Sequence, residues 1–112
     1  MIRPGEIILA DLGEMEPHPI VVVSREELNR GDWVAAVLIT SKRFEERSRQ
    51  PNCVPFRAGE FGLDVDCVAQ AESLFSIRRE ELGEHLGTLD EERWRELVKA
   101  VGNMMGSDCE PA

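Results

Sequence analysis

The chain has only two histidines, and no run of its apolar residues approaches the roughly 18 that a membrane-crossing helix needs. The apolar stretch in "MIRPGEIILADLG" is interrupted by Glu6 and Asp11 and is too short for the apolar core of a signal peptide, so a cytoplasmic protein is expected. Its three cysteines, Cys53, Cys67 and Cys109, are odd in number and show no CxxC spacing. That argues against a disulfide framework and a zinc ribbon. Cys53 and Cys67 read as small hydrophobes near the core, and Cys109 as a thiol in a loose tail. Internal repeats, low-complexity tracts and interdomain linkers are absent as well. One domain over residues 1–106, followed by a flexible tail at 107–112, is the expected organisation.

What is present fits a globular chain that can bury a core without disulfides. Of 112 residues, 42% are hydrophobic and 31% charged. The net charge of −9 is unevenly spread. Residues 1–57 hold eight basic and nine acidic groups, whereas residues 58–112 hold five and thirteen. An acidic chain is a poor general nucleic-acid binder. Within it, however, Lys42, Arg43, Arg47, Arg49 and Arg57 face only Glu45 and Glu46 over residues 42–57. That stretch reads either as a basic loop able to engage a short RNA strand or as a solvated loop with no partner.

The first half is β-rich in pattern. Pro4-Gly5 opens a strand at Glu6–Leu12, and Ile20–Val23 reads as a buried strand entered through "PHP". Ser24 and Glu27 have capping-box spacing and predict one helical turn. Trp33–Ser41 is apolar nearly throughout, as a doubly covered strand is, and Lys42–Pro51 reads as a loop. "NCVPF" is a short strand that Pro55 confines to an edge or a bulge. Val65–Ile77 gives one long strand or two short ones. His85 is placed between strand and helix, as a structural or surface residue. From Trp94 the apolar spacing turns helical, with Thr88 and Glu91 as a second capping box and Asp90, Glu91 and Glu92 loading the first turn. Short strands, tight turns and one amphipathic helix predict a mainly β protein, a small barrel with a C-terminal α-helix packed on it.

In order and spacing, "RPGEIILADLG", "PIVVVSREELNR", "VLITSK", "PFRAGEFGLDVDCV" and "LGTLDEERWREL" resemble the MazF/PemK toxin family, over nearly the whole chain. The resemblance implies an SH3-like barrel (MazF/CcdB-like) with a C-terminal helix, usually a homodimer. It also implies a metal-independent endoribonuclease toxin acting on single-stranded RNA and held inactive by a cognate antitoxin. Such cleavage needs a base for the 2′ proton, an acid for the leaving oxygen and donors or a cation for the phosphate.

In the family, an arginine before the proline of the second strand and the threonine of "ITS" carry most of this. Thr40 matches the threonine, with Ser41 after it, while His18 stands at the arginine position. Histidine can serve as base and acid near neutral pH but lacks the permanent charge and bidentate fork of arginine. The resemblance therefore assigns His18 and Thr40 to catalysis. It assigns Ser41, Arg43, Arg47, Arg49, Gln70 and Glu72 to RNA binding. Phe75 falls where a basic residue is usual; it reads either as a stacking surface for a base or, as is commoner for an aromatic in a strand, as core. Glu14 and Glu16 would stand beside the phosphate and repel it, or raise the pKa of His18.

Two other functions stay open on this fold. One is a catalytically weakened toxin homologue that binds an antitoxin or another protein, favoured by His18 and the acidic charge. The other is a small interaction module unrelated to toxins. A gyrase-poisoning toxin is disfavoured, because the chain ends "GSDCEPA" and keeps Trp94 back in the helix.

Overall fold

The computed structural model describes residues 1–112. The chain order is β1 (Glu6–Ala10), β2 (His18–Val22), β3 (Trp33–Thr40), α1 (Phe44–Arg47), β4 (Cys53–Phe56), β5 (Cys67–Arg78), β6 (Leu82–Thr88) and α2 (Glu91–Met104). Short 3-10 turns occupy Leu28–Arg30, Glu60–Gly62 and Arg79–Glu81. Every strand pairing is antiparallel, in the order β4-β5-β3-β2-β1-β6. The expected mainly β architecture with a C-terminal helix is present, but the sheet stays open, since β4 and β6 do not pair.

Alternating side chains point to opposite faces of a strand, and here both faces are apolar. Ile7, Val21, Ile39, Val54, Phe56 and Ala69 share one cluster with Leu97 and Ala100 of α2. Ile8, Ala10, Ile20, Val22, Val34, Ala36 and Ile77 form a second, edged by Leu12, Leu38 and Phe75. Phe75 is therefore core-associated, as expected. Cys53 and Cys67 are buried and free, and Cys109 is exposed. No helix is long and apolar enough to cross a membrane.

Four local expectations are corrected. Ser24 and Glu27 form no capping box: the Ser24 hydroxyl bonds the Asn29 side chain and receives the Ala35 N–H at 3.0 Å. Asn29, the one buried polar residue, donates onward to the carbonyls of Ile2 (3.0 Å) and Ser24 (2.8 Å), tying the N-terminus to the β2–β3 connection. The Lys42–Pro51 loop contains α1, entered by Arg43 in the left-handed region (φ 56°). The N-cap of α2 is Asp90, whose carboxylate accepts the Arg93 N–H at 2.8 Å, and not Thr88. His85 lies within β6 and not after the last strand.

Two features shape the end of the sheet where β2 and β3 meet the 57–66 segment. Gly62 (φ +79°) and Gly87 press backbone to backbone. A Cβ on Gly62 would sit 2.2 Å from the Leu86 carbonyl oxygen, and one on Gly87 2.4 Å from that of Phe61. The segment is clasped at its base by Asp66, which accepts the Ala58 N–H (2.9 Å) and the Arg57 guanidinium (3.1 Å). The Ala58 N–H, and after it Arg57, holds the Asp66 carboxyl below the usual carboxylate range.

Leu97 on the inner face of α2 is fully buried, whereas its neighbour Val98 is half exposed. Leu97→Ala is expected to cost about 2–5 kcal/mol of unfolding free energy and Val98→Ala well under half of that, read from urea midpoints.

Candidate active site

β1, β2, β3 and β5 present one continuous row. Ala10 pairs with His18, and Ile20 with Leu38. That β2–β3 pairing ends two residues short of His18 and Thr40, which continue the faces of Ile20 and Leu38. Thr40 in turn pairs with Val68, and Leu38 with Gln70. Cross-strand partners share a face, so His18, Thr40 and Gln70 lie on the same side of the sheet. Pro19 supplies no N–H to extend the ladder, which leaves the mouth of β2 open.

A cavity of about 620 Å³ opens here. His18, Thr40, Ser41 and Lys42 line it, with Gly62 to Val65 and Cys67 on one side and Glu84 and Leu86 of β6 on another. Its only cation is Lys42, against the carboxylates of Glu16, Asp64 and Glu84. Thr40 Oγ1 accepts the Lys42 backbone N–H at 3.2 Å, which leaves the hydroxyl proton free to donate elsewhere. His18 Nε2 lies 2.8 Å from Glu14 Oε2. With a proton on that nitrogen donated to the carboxylate, Nδ1 is the free acceptor.

The larger open hollow beside the first turn of α2 is lined by Asp90, Glu91, Glu92, Arg95, Glu96 and Lys99 and contains no nucleophile, histidine or apolar floor. A histidine, two hydroxyls and a lysine gather instead at the mouth of β2. There Cys67 is inert: burial first, then the nearby charges of Asp66 and Glu60, pushes its thiol up to about 11.

The expected site residues divide into three groups. His18, Thr40 and Ser41 meet in the cavity. Gln70 is one row away, where the β3–β5 register jumps from Val37↔Leu74 to Leu38↔Gln70 and skips Ala71, Glu72 and Ser73. Its Nε2 donates to Ser73 Oγ at 2.9 Å, while its buried Oε1 has no partner. Glu72 accepts from Asn52 beside it. Arg43 caps the start of α1, Arg47 ends it and Arg49 follows it, all outside the cavity lining, and Arg43 pairs with Glu46 at 3.6 Å. The cavity adds Lys42, Asp64 and Glu84 to the expected residues. Lys42 was legible as the residue after "TS", but Asp64 and Glu84 reach the cavity only through the fold.

A model of the PemK-like, MazF-like toxin of type II toxin–antitoxin systems matches residues 3–105. The endoribonuclease MazF of Staphylococcus saprophyticus is 23% identical, over 95% of this chain and 92% of that one. Among solved structures, a mycobacterial endoribonuclease in complex with its cognate antitoxin superposes with a TM-score of 0.79 at 24% identity, covering 95% and 96% of the two chains. The Mycobacterium tuberculosis toxin MazF-mt6 gives 0.77 at 24% identity, over 97% and 100%. At these identities the superpositions establish the shared fold.

The folded Cys67 thiol keeps its proton to higher pH than the unfolded one. Its contribution to stability is therefore complete below pH 9.0 and is lost as pH rises toward about 11. Urea midpoints are expected to fall more steeply across that window for the wild type than for Cys67→Ala. Parallel curves would contradict the shift.

Proposed function

The chain belongs to the PemK-like, MazF-like toxin family of type II toxin–antitoxin systems, and from that membership we propose that it is a metal-independent endoribonuclease acting on single-stranded RNA. The observation that carries the reading is the convergence of His18 and Thr40 in one cavity. In the proposed step, the RNA 2′-oxygen attacks the adjacent phosphorus. His18 Nδ1 takes the 2′ proton, with Glu14 holding the ring through Nε2. The Thr40 hydroxyl donates to a phosphate oxygen as negative charge builds there. The P–O5′ bond breaks, and the 5′-oxygen leaves as a hydroxyl with a proton from water. The products are a 2′,3′-cyclic phosphate and a free 5′-hydroxyl.

Binding roles follow from the same reading. Ser41 borders the scissile position, and Gln70, one row along β5 from the cavity, is the proposed contact to an unstacked base. Glu72 supports that position through Asn52. Arg43, Arg47 and Arg49 track the strand's phosphates beyond the cavity. A second copy of the chain and a cognate antitoxin are the proposed protein partners, and the cytoplasm the proposed compartment. The exposed Trp33 and Leu74 on β3 and β5 support the first partner, and the antitoxin-bound mycobacterial relative supports the second.

One observation favours a second reading, a catalytically weakened homologue that acts by binding protein. Glu14 engages His18, and Glu16, Asp64 and Glu84 face the cavity, all of which oppose a phosphate.

The two readings separate in a cleavage assay on long single-stranded RNA with chelator present. The endoribonuclease reading expects cutting by the wild type, and losses on the order of a hundredfold or more in His18→Ala and Thr40→Ala. Cutting that survives both changes removes the site assignment, and an inert wild type favours the binding protein.

A further inference from the structure

We propose that Lys42 is a catalytic phosphate contact of this site: its ammonium supplies the positive charge that the scissile phosphate requires. This rests on the endoribonuclease reading above. Attack on a phosphodiester adds negative charge to the non-bridging oxygens, and a positioned cation or donor must meet it. His18 cannot provide a lasting charge, because a base that starts neutral gains its proton only as the step proceeds. Among the sixteen residues lining the cavity, Lys42 is the only Lys or Arg. The other cations of the chain's first half are spoken for or lie elsewhere. Arg3 pairs with Glu26, Arg43 with Glu46 and Arg57 with Asp66.

Three details place Lys42 for this role. It is two residues beyond Thr40, and its own backbone N–H is bonded to the Thr40 hydroxyl oxygen, so the two residues are fixed to each other at the cavity wall. Its side chain is exposed and makes no ion pair, although Glu16, Asp64 and Glu84 line the same cavity. Those three carboxylates make the cavity electronegative. A phosphate entering it therefore depends on Lys42 more than it would in a site with several cations. The ammonium is a compact point charge on a flexible stem, able to follow the phosphate from ground state to transition state.

The step is unchanged in its atoms: the 2′-O–P bond forms, the P–O5′ bond breaks, and Lys42 keeps its proton throughout. The test compares wild type with Lys42→Met, Lys42→Arg and Lys99→Met, the last removing the only other lysine, on α2 away from the site. Cleavage of single-stranded RNA is measured alongside the salt dependence of binding to an uncleavable all-2′-deoxy oligonucleotide of the same sequence.

Lys42→Met is expected to lose on the order of a hundredfold in kcat/KM, with Lys42→Arg within about tenfold of wild type and Lys99→Met unchanged. The slope of log K against log salt should become shallower by about 0.7 in Lys42→Met, the value for one lost single-strand phosphate contact. Unchanged cleavage and slope in Lys42→Met overturn the proposal while leaving the endoribonuclease reading intact. A wild type that binds the oligonucleotide in a Lys42-dependent way without cutting RNA keeps the phosphate contact and discards both the catalytic role of Lys42 and the reading. A wild type that neither cuts nor binds overturns both.

Discussion

Ile20, Val21 and Val22 are completely buried, although Ile20 and Val22 face one side of the sheet and Val21 the other. A sheet with a dry apolar cluster on each face cannot let β2 slide by one residue against β3. Such a slip would exchange the two sets of side chains and mismatch both cores. The pairing Ile20↔Leu38 is thereby locked, and with it the face on which His18 and Thr40 lie two residues further along their strands. The proposed base and the proposed phosphate donor owe their proximity to packing several residues away rather than to any bond between them.

The rest of the site is hung on that fixed edge. The 57–66 segment closes one side through the Asp66 clasp and the Gly62–Gly87 contact, and β6 brings Glu84 and Leu86 to another. The irregularity in β5 departs from regular pairing one row from Thr40, and there Gln70 carries a buried oxygen without a partner. The chain's charge is set against its proposed substrate, with one lysine among three carboxylates at the cavity.

Much of this was legible in the residues because the strong signals are apolar. The Ile20–Val23 run, the long Trp33–Ser41 run and the helical spacing from Trp94 all correspond to observed elements, within three residues at their ends. Signals resting on single polar side chains were less secure. Ser24 had the spacing of a cap, but its hydroxyl is claimed by Asn29 and Ala35, and Asp90 outcompetes Thr88 because its carboxylate reaches the Arg93 N–H. β6 escaped notice because it is an edge strand with two glycines and mostly exposed side chains, so no period of two is visible in it. α1 is a four-residue helix without a side-chain cap, too short for any periodicity. His18 and Thr40 could be picked out from local context, but Asp64 and Glu84 come to the site through tertiary pairing alone.

The central claim is that RNA is engaged at the mouth of β2 and β3. It is tested most directly by two-dimensional 1H–15N NMR of the protein titrated with an uncleavable 2′-deoxy oligonucleotide. The account predicts resonance changes concentrated at His18, Thr40, Ser41, Lys42 and the Leu63–Val65 stretch, with α2 unaffected. Changes centred on the outer face of α2 or around Trp33 and Arg78, with His18 and Thr40 silent, would contradict it.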